Sequence, residues 1–325
     1  MNVIEVKNLK KTFKVKIKEK GFKGSIKSIF KPKYKSIKAV NNITFNVEKG
    51  EILAFIGPNG AGKSTTIKML TGILQPDSGN VMVNGINPSK NRKQLAYSIG
   101  TVFGQKEQLW THLTPYDNFK FFAAIYDIDS RVADKRIKEL IETFELHDFV
   151  NTPVRNLSLG QRIRCEIVAS LIHKPDVLFL DEPTIGLDPV VKENIRTLIK
   201  RMNKEYKTTV FLTSHDVSDI EKLCKRIIIV NDGKIVMDDS MQNLKYNYLS
   251  EKIIEVKMNT KVNLTDCDGI TVLKDNGYNL KLKIDTAKKS VADVISMLNT
   301  DHIIDINISN IPLENIITEI YKDKK

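Results

Sequence analysis

A chain of 325 residues, 41% hydrophobic and 28% charged, has room for one sizeable core and a smaller second one. Its most apolar runs are strand length, well short of the roughly 18 residues of a membrane-crossing helix, which argues against an integral membrane protein. The net charge of +12 admits an anionic partner, whereas three widely spaced cysteines, Cys165, Cys224 and Cys267, exclude a disulfide framework or a cysteine metal site and suit a reducing compartment.

Met1–Val6 lacks a charged stretch leading into an apolar one, so no secretory signal is expected, and Val3–Val6 alternates as a strand. Residues 15–38 then hold nine lysines against one acid, Glu19. The charge is a local patch rather than a property of the whole chain, and no nucleic-acid partner is expected. Within it Phe22, Ile26, Ile29 and Phe30 fall at i, i+4, i+7 and i+8. Two readings stay open: a short amphipathic helix on anionic lipid or a partner protein, and a solvated loop. Ala39–Val47 alternates as a second strand, and Glu48-Lys49-Gly50 reads as a turn. Ile52–Ile56 is a continuous apolar run, as in a strand buried on both faces. A glycine-rich loop and a helix from near Ser64 follow. Asn84-Gly85 after Val81–Val83 predicts a hairpin turn, and about 106–172 reads as mainly helical. Val177–Leu180 and Thr209–Leu212 read as buried strands, and Ile227–Val230, a turn and Ile235–Met237 as a hairpin. Composition changes near Tyr248. Beyond it the pattern predicts strands at 253–257, 270–273, 280–284 and 303–308, with helices at 289–298 and 312–321, a small α+β domain over 250–325.

Three stretches carry chemistry. Gly57-Pro58-Asn59-Gly60-Ala61-Gly62-Lys63-Ser64 fits G-x-x-x-x-G-K-[ST]. Its glycines let backbone N–H groups ring a phosphate, Lys63 reaches the outer phosphates, and Ser64 is placed to ligate Mg²⁺. Val177–Leu180 ends in Asp181-Glu182, placing two carboxylates at a strand end: Asp181 for Mg²⁺ and Glu182 to polarise an attacking water. Leu157-Ser158-Leu159-Gly160-Gln161 precedes a helix, where a hydroxyl and bare amides can meet an anion.

In this order the three motifs resemble the ABC ATPase family over about residues 1–245, as its Walker A, Walker B and signature, with Leu159 in place of the commoner signature glycine. The resemblance implies an α/β P-loop NTPase core with an antiparallel β subdomain and a helical subdomain (about 106–172), together forming domain 1–247. It implies that ATP and Mg²⁺ are bound, with Thr65 joining the phosphate loop. Gln105 matches the glutamine that senses Mg²⁺ and the attacking water, His215 the switch histidine, and Asp188 the aspartate that crosses the dimer interface. Ser158, Gly160 and Gln161 are implied to contact nucleotide held by the neighbouring copy. An aromatic ring before the phosphate loop stacks on adenine in this family; Tyr34, at the usual distance from Lys63, is preferred, with Phe13 the alternative.

One complete motif set per chain implies a homodimer, or a dimer with a related ATPase subunit. The implied partner is an integral-membrane permease, with the chain cytoplasmic and peripheral on the inner face of the membrane. Val102–Gln105, Gln108–Trp110, the basic insertion and Gln161–Glu166 are similar to a bacterial branch of drug-exporter-type, viologen-exporter-like ABC ATPases, so export is implied by that similarity. Trp110 is read either as a docking residue for the permease or as a core residue of the helical subdomain. An ABC ATPase acting on ribosomes or nucleic acid is the alternative function.

Overall fold

The structure, a computed structural model, describes residues 1–16, 34–104, 106–247, 251–261, 265–298 and 300–322. It divides into two compact units, Met1–Asp239 and Ser240–Lys325. The division falls ahead of the composition change at Tyr248, because the short helix Met241–Asn247 groups with the second unit and carries no compositional signal of its own.

In the first unit, strands β1 (Asn2–Lys16), β2 (Tyr34–Glu48), β3 (Ile52–Ile56), β4 (Ser78–Val83), β5 (Ile99–Phe103), β6 (Val177–Asp181), β7 (Thr209–Thr213), β8 (Arg226–Asn231) and β9 (Lys234–Ser240) make two sheets. One has the order β2-β1-β4 and is antiparallel; the other has the order β5-β6-β7-β3-β8-β9, parallel from β5 through β8. The side chains of Leu53–Ile56 and Val177–Leu180 are buried, as continuous apolar strands between two layers require. Phe55, Phe179 and Phe211 pack ring against ring across neighbouring strands, with centroids 5.2 Å and 5.6 Å apart, and Phe45 of β2 joins Phe55 at 5.6 Å. The two sheets therefore share one core. Each such ring contributes about 1.5–3 kcal/mol by leaving water.

The helices of this unit are α1 (Lys63–Leu70), α2 (Arg92–Ala96), α3 (Pro115–Ile125), α4 (Ser130–Thr143), α5 (Leu159–Leu171), α6 (Pro189–Tyr206) and α7 (Val217–Leu223). Caps set their starts: Thr114 accepts the Asp117 N–H, Asp129 those of Arg131 and Val132, and Ser158 that of Gln161. Asn84-Gly85 forms the expected tight turn, with φ of 52° and 72° and paired hydrogen bonds between Val83 and Ile86. No helix among the described residues is long and apolar enough to cross a membrane.

Two features depart from expectation. Strand β5 lies at one edge of the six-stranded sheet, its apolar run interrupted by Gly100 and Thr101. Gly100 is required there, since a Cβ would meet the Ser170 carbonyl of α5 at 2.6 Å. The described ends of the basic segment, 15–16 and 34–38, are also ribbon: β1 and β2 stay paired as far as Lys16 opposite Tyr34. Their exposed, lysine-rich ends lack the apolar alternation that marks a strand. Phe22, Ile26, Ile29 and Phe30 lie outside the described residues.

The second unit holds α8 (Met241–Asn247) and an antiparallel sheet of order β11-β12-β10-β13, built from β10 (Glu251–Met258), β11 (Ile270–Asp275), β12 (Asn279–Asp285) and β13 (Ile303–Asn310). Helices α9 (Val291–Met297) and α10 (Leu313–Lys322) complete it. Ile254, Val256 and Met258 alternate along β10 and bury one face with Val294 and Leu298.

Candidate functional site

The carboxyl ends of β3, β5, β6 and β7 lie along one edge of the parallel sheet, where loops carrying chemistry leave such folds. Register places Phe103, Asp181 and Thr213 side by side. From this edge run the phosphate loop, Gly104, the Asp181-Glu182 pair and the His215 turn.

The phosphate loop is held by close backbone approach at two glycines. A Cβ on Gly57 would stand 2.2 Å from the Val230 carbonyl oxygen, and one on Gly62 equally close to that of Ala39. Gly62 also has φ +102°. It caps α1 without a side-chain acceptor, so the first amides of that helix point into the loop mouth. Lys63 is buried, and its Nζ donates to the carbonyls of Gly57 at 2.6 Å and Pro58 at 3.2 Å. Burial pulls the Lys63 pKa down, against the opposing pull of the Glu182 and Asp181 carboxylates.

The Asp181 carboxylate accepts a hydrogen bond from the Thr213 hydroxyl, and its carbonyl accepts the Gly104 N–H at 2.9 Å. Glu182 follows with φ +55°, a left-handed conformation uncommon outside glycine and costing about 1–3 kcal/mol. Its N–H binds the Thr213 carbonyl at 3.0 Å. Its side chain turns to His215, with Oε1 and Nε2 2.8 Å apart, while the same Nε2 lies 3.4 Å from Lys63 Nζ. Ser64, Asp181, Glu182, Phe103 and Gly104 line a common cleft of ≈ 290 Å³. Gln105 lies outside the described residues.

Among the described residues, no group of three or more His, Cys, Asp or Glu side chains could hold a metal by itself. The cleft instead offers the Ser64 hydroxyl and two carboxylates; with Glu182 turned to His215, Ser64 and Asp181 are the hard oxygen donors left to fit Mg²⁺ shared with a nucleotide's phosphates.

The second set of predicted residues stands apart. Ser158 and Gln161 close a capping box: the Gln161 side chain accepts the Ser158 N–H at 2.9 Å, and Ser158 Oγ the Gln161 N–H at 3.3 Å. Gly160 abuts α6, where a Cβ would meet Val191 at 2.4 Å. Asp188 caps α6, accepting the Val190 and Val191 N–H groups at 3.0 Å each. Thus Ser158, Gly160, Gln161 and Asp188 group around α5 and α6, while Lys63, Ser64, Asp181, Glu182 and His215 group at the sheet edge.

The preference for Tyr34 as the aromatic ring runs against the register. Ala39, whose carbonyl touches the phosphate loop at Gly62, is five residues along β2 from Tyr34, roughly 16 Å at strand rise. Phe13 pairs with Ile37, only two residues from Ala39, and so stands at the register position nearer the loop. Spacing in sequence does not report this, because β1 and β2 pair antiparallel and bring residues distant in sequence opposite one another. Sequence reasoning also missed Thr213, which fixes Asp181; its only signal was its place just before Ser214-His215.

A family model described as ABC transporter matches residues 40–185. The chain is 31% identical over 233 residues to the ABC transporter ATP-binding protein NatA of Bacillus subtilis (strain 168), covering 72% of this chain and 94% of that protein. It is 33% identical over 271 residues to the linearmycin resistance ATP-binding protein LnrL of the same organism, covering 81% and 86%. Among solved structures it resembles a dimeric ATP-binding cassette in a post-hydrolysis state bound to ADP and Pi, with TM-score 0.61 and 27% identity over 73% of this chain and 98% of that one. The chain belongs to the ABC transporter family as an ATP-binding subunit that hydrolyses ATP.

Proposed function

We propose that two copies of this chain, or one copy and a related subunit, clasp Mg-ATP between the phosphate loop of one and Ser158–Gln161 of the other, and that hydrolysis drives export through a separate membrane permease. The observation that carries this reading is the contact of Glu182 with His215 at 2.8 Å beside Lys63, in a chain whose second set of nucleotide-facing residues is grouped elsewhere. Leu159, Ile185 and Val190 are exposed around Ser158 and Asp188, Val190 to 71%. Such apolar side chains suit burial against a second subunit. The likeness to a cassette solved as a dimer with ADP and Pi supports the same assembly, and the likeness to a linearmycin resistance protein supports export.

Glu182 is placed to orient and deprotonate a water at the terminal phosphate, and His215 holds the Glu182 carboxylate while facing the same phosphate. Lys63 and the amides opening α1 stabilise the phosphate charge as it shifts toward the leaving oxygen. Mg²⁺ held by Ser64 and Asp181 would neutralise phosphate charge, and Gln105 is assigned the sensing of it from the family motif alone; Gly57–Thr65 would wrap the phosphates, and Phe13 is the ring to stack on adenine. With Glu182→Gln, the chain is expected to bind ATP and dimerise but barely hydrolyse, as measured by phosphate release and light scattering. A mutant that hydrolyses like wild type removes the assignment.

Permease docking is placed on the helical subdomain. Trp110 is 45% exposed, neither fully buried nor free: its ring meets that of Phe121 edge-on at 4.4 Å, and its backbone N–H donates to Asn118 Oδ1 at 2.8 Å. An exposed, pre-ordered aromatic pair is a common anchor for a partner helix. Residues 15–38 are assigned to contact with anionic lipid, residues 250–325 to an accessory domain, and the whole chain to the cytoplasmic face of the membrane, held there by the permease. Equal binding to neutral and anionic vesicles, unchanged by deleting residues 20–33, would remove the lipid contact; co-purification with ribosomes in place of a polytopic membrane protein would remove the permease.

A further inference from the structure

Glu182 and His215 sit on different loops, yet both loops are tied to one side chain that touches neither residue. Asp219 of α7 is fully buried, and both its carboxylate oxygens are used. Oδ1 accepts Arg196 Nε at 2.6 Å; Oδ2 accepts the hydroxyls of Ser214, at 2.9 Å, and of Thr184. Thr184 lies two residues after Glu182, and Ser214 immediately precedes His215. On the far side of the histidine, Asp216 Oδ2 is held by Lys192 at 2.6 Å and by Arg196 at 3.5 Å. Arg196 thus links the two acids, and His215 is flanked on both sides by the same network.

We propose that Asp219 is a positioning residue for hydrolysis: through Thr184 and Ser214 it fixes the spacing of Glu182 and His215. Two features support this. The left-handed backbone of Glu182 persists only where its surroundings hold it, and the segment that follows it is anchored at Thr184. Moreover, a buried ion pair contributes little more stability than apolar packing of the same volume, so the value of this network lies in the geometry it imposes. Glu182 and His215 meet at 2.8 Å, and reacting groups displaced by an ångström lose rate steeply. The inference rests on the role of Glu182 proposed above.

The test uses the full-length chain in steady-state ATP hydrolysis. Thr184→Val and Ser214→Ala each cut one tether and keep the Arg196–Asp219 pair; Asp219→Asn removes the charge at the centre. Each is expected to lower kcat about tenfold with KM for ATP changed by less than about twofold, and Thr184→Ser, which keeps the hydroxyl, to restore the rate. Wild-type rates in both Thr184→Val and Ser214→Ala overturn the proposal, as does an equal loss in Thr184→Ser, or a rise in KM that matches the fall in kcat. Hydrolysis by wild type, and its loss in Glu182→Gln, test the underlying role separately, so the two readings fail in different measurements.

Discussion

At the carboxyl ends of β3, β6 and β7 the polar groups hold one another: Lys63 and Glu182 both meet His215, and Thr213 holds Asp181. At the amino ends of α5 and α6, Ser158 and Gln161 hold each other and Asp188 holds its own helix, while Leu159 and Val190 face outwards. The first arrangement is preorganised by a shared sheet and core, with strain at Glu182 borne by the packing around it. The second is a capped helix start with an apolar rim, a surface shaped for something outside its own fold. On the function proposed above, one site built from both kinds of half would couple chemistry to assembly.

The comparison breaks first at Glu182. If the sheet-edge half performs the chemistry, Glu182→Gln lowers kcat about 10²–10⁴-fold and leaves nucleotide binding intact, read by single-turnover hydrolysis and a fluorescent nucleotide. A next test removes the support beneath it. Phe211 is fully buried, with rings of Phe45, Phe55 and Phe179 within 6.2 Å. Phe211→Ala is expected to cost about 3–5 kcal/mol in denaturant unfolding, and an exposed substitution on the rim far less.

The two halves also differ in how far the sequence discloses them. The phosphate loop and β6 are legible because an apolar run with glycines at fixed spacing has one mechanical use, and register then carries Asp181 and Glu182 to the same edge. The contacts between loops are not legible. Thr213 reaches Asp181 only because β7 neighbours β6, and strand order leaves no mark on local pattern. Strand β5 escapes notice because Gly100, needed for close approach of α5, breaks its apolar run. The register favours Phe13 over Tyr34 for a related reason: β1 and β2 are antiparallel, so residues far apart in sequence stand opposite one another, which local pattern does not disclose.

Beneath the signature half lies a titratable group that sharpens the contrast. Glu166 of α5 is buried, and burial pushes its carboxyl up to about 7, opposed by the Gln108 N–H it accepts at 3.3 Å. For an acid raised in the folded state, the folded form holds a proton that the unfolded form has lost. Its contribution to stability is thus fully present below pH 4.5, the ordinary value for this carboxyl, and lost as pH rises through about 7. Glu166→Gln should flatten that decline and leave the protein more stable at pH 8 by about 1–3 kcal/mol, measured by urea unfolding at pH 5 and pH 8. A mutant with the wild-type pH slope shows that Glu166 is ionised throughout.

The smallest effect falls on the rim itself. Val190 is 71% exposed at the start of α6, beside the Asp188 cap, and takes no part in the contacts of Lys63, Glu182 or His215. Val190→Asp should leave the folded chain and its affinity for a single nucleotide unchanged, because an exposed substitution outside the core shifts stability by less than about 0.5 kcal/mol. In a two-fold assembly, however, each copy buries the new charge, and ATP-driven dimerisation of the hydrolysis-deficient Glu182→Gln chain is expected to weaken about tenfold in sedimentation equilibrium. If dimerisation is unaffected while Leu159→Asp abolishes it, the contact surface is confined to α5 and does not extend onto α6. If neither substitution weakens it, the apolar rim is not the surface on which two copies meet, and the contrast between a chemical half and an assembling half fails.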